Sequence, residues 1–188
     1  AAFVLFARNK ADFLILETGL GGRLDATNII PYKLISIITA IDMDHEEFLG
    51  NTLNKITSEK LGIIKNTKNV IIAKQKKEVN EFILKKLRNQ SNVYHFNYDY
   101  KFKKIMAKQF IFKFKKIEKT IKRPSLHGLH QIENATTALT TAMILKNNNF
   151  NIKFSSLGQS IYNTKWPGRI EKIRFKNKYI IFDGAHNL

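Results

Sequence analysis

Six short stretches of the chain gather residue types that do chemistry. The first runs Glu17-Thr18-Gly19-Leu20-Gly21-Gly22-Arg23-Leu24-Asp25-Ala26-Thr27-Asn28 and follows the apolar Phe13-Leu14-Ile15-Leu16. A carboxylate at a strand end, backbone freed by glycines and several hydrogen-bonding side chains suit an anion and a metal ion. The plain alternative is a loop that only turns the chain. The second is Asp42-Met43-Asp44-His45-Glu46-Glu47-Phe48-Leu49-Gly50. It places carboxylates and His45 beyond the carboxyl end of a predicted strand, where open α/β sheets bind ligands. Taken alone, that histidine reads as a surface or capping residue. The third, Ser58-Glu59-Lys60-Leu61-Gly62-Ile63-Ile64-Lys65, reads alone as an amphipathic helix with solvated lysines.

Three more lie downstream. In Leu126-His127-Gly128-Leu129-His130-Gln131-Ile132-Glu133-Asn134-Ala135, His130 and Asn134 share a helix face. Trp166-Pro167-Gly168-Arg169 sets an arginine on a rigid turn, where its fork of donors suits a phosphate. Asp183-Gly184-Ala185-His186-Asn187 ends a strand in polar residues. Each has a bland counterpart in capping, packing or a polar turn.

The six together, in this order over nearly the whole chain, resemble the folylpolyglutamate synthase and dihydrofolate synthase family. Its members are ATP-dependent amide ligases related to the Mur ligases. The resemblance implies a Mur-ligase-type central ATPase domain over residues 1–168 and the start of a glutamate-binding domain over 169–188. It implies joining of L-glutamate to folate or dihydropteroate through an acyl phosphate, with ATP and Mg2+. It gives Glu17, His45 and a carbamylated Lys60 to the metal and catalysis. Asn134, Arg169, Asp183 and His186 fall to ATP, and the loop from Gly19 to Asn28 shapes the site around the transferred phosphate. The carbamate is chemically coherent, since a desolvated lysine is more readily neutral and its carbamate supplies the hard oxygens magnesium prefers. Leu61 stands where the family has alanine. No Gly-x-x-Gly-Lys-Ser/Thr phosphate loop occurs. The resemblance puts it upstream, so the chain reads as an internal fragment cut at both ends and inactive alone.

Positioning these residues calls for an α/β fold with a mainly parallel sheet flanked by helices. Apolar runs predict strands over 13–17, 34–40 and 69–74 in one sheet. Helical spacing predicts helices over 52–65, 77–89, 129–146 and 154–163, after a helix tail at 1–10. Residues 92–123 alternate Phe, Tyr and Ile with Lys, which predicts a small antiparallel region with one wet face. Strands over 170–175 and 179–183 close the chain, and Pro167 stops the helix before them.

The 188 residues carry a formal charge of +17 and no cysteine. Absence of thiols excludes a disulfide framework or a thiolate metal site and accords with the cytoplasm. No apolar run is long enough for a membrane span. The lysines are spread along the elements, so the charge reads as composition, with a smaller part in attracting anionic nucleotides and folates. The expected partners are therefore small molecules, with neither nucleic acid nor membrane, and the expected state is a monomer. The alternatives are another Mur-type ligase or a basic nucleic-acid-binding module.

Overall fold

A computed structural model describes residues 2–184 and opens on helix α1 (Ala2–Arg8). Three strands, β1 (Lys33–Ile38), β2 (Thr67–Ile72) and β3 (Val93–His95), form a parallel sheet in the order β1-β2-β3. Ile37 pairs with Ile71 and Val70 with Val93. Parallel pairing requires crossovers. Helices α2 (Glu46–Leu49), α3 (Leu53–Leu61) and α4 (Lys77–Lys86) occur in them.

The central strand alternates between two cores. Val70 and Ile72 join Ile56 of α3 and Val79 and Ile83 of α4 on one side. Ile71 faces the other, with Tyr100, Phe110, Ile132 and Leu139. A strand covered on both faces has no polar side, hence the near-continuous apolar run of Val70-Ile71-Ile72. The polar exceptions are satisfied. Ser36 Oγ and Thr67 Oγ1 lie 2.7 Å apart, and Asn69 Nδ2 donates to Leu34 O.

The second core lies under an antiparallel sheet of β4 (Tyr100–Ile105), β5 (Gln109–Phe114) and β6 (Ile117–Lys122). Phe110, Phe112 and Phe114 alternate inward and are buried. Truncating any one to alanine costs about 3–5 kcal/mol. Helix α5 (Leu129–Asn147) contacts both this sheet and β2, and α6 (Phe154–Asn163) packs on β6. The turn at Pro167 and Gly168 leads to the hairpin β7 (Glu171–Phe175) and β8 (Lys178–Phe182).

The architecture is thus the expected α/β fold with a parallel sheet and a separate antiparallel one. Three expectations need correction. Residues 13–17 form no strand. Strand structure needs a ladder, and no described residue pairs with this segment. Ile15 is 92% exposed, while Phe13 finds only ring contact with Phe150 at 4.9 Å between centroids. Residues 93–95 leave the predicted antiparallel region and become the third parallel strand, because Val93 and Tyr94 find pairing along β2. The predicted helix over 52–65 stops at Leu61 and tightens into a 3-10 turn at Gly62–Ile64.

Candidate functional site

The carboxyl ends of β1 and β2 deliver residues 39–45 and 73–76, and three of the six stretches meet around α2 and α3. The glycine-rich loop lies on the end of α3. Arg23 N donates to Glu59 O at 2.9 Å, and the Arg23 guanidinium pairs with the Glu59 carboxylate at 3.1 Å. Asn28 Nδ2 donates both to Arg23 O, at 3.0 Å, and to Gly62 O, at 3.1 Å. The loop thereby adds a second donor to Glu59 O, which already accepts from Gly62 N, and supplies one to Gly62 O.

Glycine is required by this close approach. A Cβ on Gly22 would lie 2.9 Å from Glu59 O and 3.1 Å from Lys60 O. One on Gly21, whose φ is +64°, would lie 2.8 Å from Leu49 Cδ2. Gly21 is thus wedged between the stretch that carries His45 and the stretch that carries Lys60.

Asp25 holds the loop in shape. Its carboxylate accepts from Gly19 N at 3.0 Å, Leu20 N at 3.1 Å, Thr27 N at 2.8 Å and Thr27 Oγ1 at 2.5 Å. The Thr27 hydroxyl bond, aided by the three amides against partial burial, holds the carboxyl below its ordinary range. The same side chain caps the 3-10 turn Ala26–Ile29.

His45 precedes α2 with φ 49°, in the left-handed region that non-glycine residues seldom adopt. It makes no side-chain cap bond, and its Nε2 lies 3.7 Å from Asp44 Oδ2. The strained backbone presents the imidazole rather than using it to start the helix; such strain gathers at functional sites. Asp42 is already engaged, with Lys76 Nζ at 2.7 Å. That contact, helped by the Met43 amide, lowers its pKa.

Lys60 is half-buried in the last turn of α3 and has no ion-pair partner among the described residues. Glu17 is exposed at the entry to the loop. Among the described residues, no three His, Cys, Asp or Glu side chains gather as a metal cluster. The donor types still fit magnesium, which keeps several waters and takes one or two protein carboxylates beside phosphate oxygens. Glu17 supplies such a carboxylate, and His45 the less usual nitrogen.

Asn134 lies in the second turn of α5, next to Glu133, which Lys74 holds at 2.6 Å. That pair ties the helix to the end of β2. Arg169 is exposed beside Gly168, whose φ is +71° and whose amide donates to Glu171 Oε2. Asp183 is exposed at the end of β8, and His186 lies outside the described residues. Sequence reasoning missed the Arg23–Glu59 clasp and the fourfold role of Asp25. Asp25 beside Thr27 was a visible cue, since this pair readily forms a local turn.

Residues 1–142 match the model of the Mur ligase middle domain. The chain belongs to that family. Within it, this chain is 35% identical over 194 residues to the dihydrofolate synthase/folylpolyglutamate synthase of Bacillus subtilis. The match covers 99% of this chain and 44% of that protein. The enzyme of the same name from Buchnera aphidicola is 36% identical over 205 residues, covering 100% of this chain and 43% of its own. A folylpolyglutamate synthase complex with AMPPCP and folate superposes with a TM-score of 0.89 at 26% identity, over 99% of this chain and 46% of that one. Escherichia coli FolC with DHPP and ADP gives 0.82 at 28% identity, over 99% and 42%. The chain spans less than half the length of the curated relatives it matches. No helix among the described residues is long and apolar enough to cross a membrane.

Proposed function

We propose that the protein containing this chain is an ATP-dependent ligase that joins L-glutamate to a folate or dihydropteroate carboxylate through an acyl phosphate. The observation that carries the reading is the junction at Gly21 and Gly22, where the loop after Glu17, the stretch after His45 and the helix of Lys60 meet. The likeness to enzymes named for this activity, and to a neighbour holding an ATP analogue with folate, supports it.

In this reading Glu17, His45 and carbamylated Lys60 hold Mg2+, which offsets phosphate charge and stabilises the charge that builds in transfer. The carbamate forms when the neutral Lys60 amine adds to carbon dioxide and loses a proton. Asn134 contacts the nucleobase, while Arg169, Asp183 and His186 hold the ribose and phosphates of ATP. The loop, kept rigid by Asp25 and clasped by Arg23, excludes water around the transferred group. Residues 1–168 form the central domain, and 169–188 begin the domain that binds glutamate. The protein acts as a monomer in the cytoplasm and takes no nucleic acid.

The test is the full-length protein with ATP, Mg2+, L-glutamate and either dihydropteroate or tetrahydrofolate. Phosphate release matched by a product one glutamyl unit heavier is expected. Folded protein that glutamylates neither substrate refutes the reading.

A further inference from the structure

Beyond the last paired residues, β1 and β2 diverge. The backbone ladder makes one more bond there, from Ala73 N to Ile38 O at 2.9 Å. A side chain then takes over. Gln75 Nε2 donates to Thr39 O at 2.8 Å, and Gln75 Oε1 accepts from Ile41 N at 3.0 Å. The primary amide presents the same donor and acceptor as a peptide unit and binds the segment 39–41 as a neighbouring strand would. Next along, Lys76 holds Asp42 at 2.7 Å. Ile41 is buried, so its amide needs this acceptor. Three residues after Asp42 the chain enters the strained φ of His45.

We propose that Gln75 is a positioning residue: its side chain prolongs the β1–β2 ladder beyond the strands and so fixes where the 42–50 loop presents His45. The proposal rests on the ligase reading, in which His45 faces the metal. Gln75 itself touches neither metal nor substrate. It acts through the backbone at Thr39 and Ile41, and a displacement there is carried directly to His45.

The experiment compares full-length Gln75→Ala and Gln75→Glu with the parent protein. Hydrogen exchange in residues 39–45 should rise about tenfold in Gln75→Ala, while β2 and α4 keep their protection. Turnover at saturating substrate should fall by about tenfold or more, because small misplacements of reacting groups are costly. The KM for dihydropteroate should hold, and the Mg2+ concentration for half-maximal rate should rise. Gln75→Glu keeps the acceptor for Ile41 N and loses the donor to Thr39 O, so it should recover part of the protection. Unchanged exchange in residues 39–45 overturns the proposal. So does faster exchange with parental turnover and Mg2+ dependence. Loss of protection across the whole sheet, with turnover per folded molecule unchanged, also overturns it and leaves a purely structural glutamine. Exchange requires no turnover. A parent protein that glutamylates neither dihydropteroate nor tetrahydrofolate therefore sinks the ligase reading, while the exchange result still decides the role of Gln75 in the loop.

Discussion

Substituting Gly22 by alanine tests the junction most directly. The added methyl would sit 2.9 Å from Glu59 O, 3.1 Å from Lys60 O and 2.8 Å from Ile63 Cγ2. Ile63 can rotate away, but the two carbonyls belong to the end of α3 and move only with its backbone. Crowding of this kind costs about 1–3 kcal/mol. Relief by lifting the loop instead breaks the Arg23 N to Glu59 O bond of 2.9 Å, at a cost of about 1 kcal/mol. By either route the cost is about 1–3 kcal/mol, and the loop is loosened from the helix. The expected result in the full-length protein is a turnover defect larger than the loss of melting temperature alone accounts for. Gly158→Ala is the matched control. It lies inside α6, and its methyl would meet only Ile121 Cγ2 at 4.0 Å. Alanine's helix preference should there stabilise by about 1 kcal/mol. Circular-dichroism melting and phosphate release on both variants decide the matter. Gly22→Ala with parental melting and parental turnover would refute the described contact between loop and α3.

Lys60→Ala in the full-length protein should abolish turnover while the fold persists, with short carboxylic acids restoring part of it; near-normal activity after rigorous removal of carbon dioxide rules out the carbamate. Asp25 has a lowered folded pKa, so its ionised form stabilises the loop above the unfolded carboxyl range, about 3.9, and that contribution drains away as pH falls through the folded value. Asp25→Asn should flatten this acid limb in a melting series, and a parental acid limb in that variant would count against the role. Tyr100→Phe should cost only about 0.5–1.5 kcal/mol in a denaturant titration. The lost donor bond to Ile72 O, at 2.9 Å, leaves that carbonyl still accepting from Phe96 N.

The sequence was most legible where one physical rule dominates. Apolar runs marked β1 and β2, and the spacing of Val79 and Ile83 marked α4. The Phe–Lys alternation marked β5, with its buried phenylalanines and wet lysines. Apolar character alone misled at 13–17, because a strand also depends on a partner that lies elsewhere in sequence. Val93-Tyr94-His95 failed for the same reason, since three residues carry no period that separates parallel from antiparallel pairing. At the site, the residue types were visible in Glu17, His45 and Lys60. The contacts that hold their stretches together were not. Arg23 meets Glu59 across 36 positions, and Gln75 meets Thr39 across the same separation. Such partners are set by topology, and nothing in the local sequence announces them.

Helix α5 carries four threonines whose hydroxyls all donate to the carbonyl one turn back, from Thr136, Thr137, Thr140 and Thr141. They ask almost nothing of the layers on either side. Among the described residues, the side chains of α5 reach the strands and their ends through the Glu133–Lys74 bond and a 3.5 Å approach of Thr137 Oγ1 to the Tyr100 hydroxyl. Tyr100 in turn grips Ile72 O. Both therefore reach the carboxyl end of β2, while Leu139, Met143 and Ile144 are held by shape alone. In mechanical terms the helix is pinned along its amino-terminal half, at Glu133 and midway at Thr137. The antiparallel sheet bears on its length, and any tilt it imposes pivots at these pins, beside the carboxyl edge where Lys74, Gln75 and Lys76 stand.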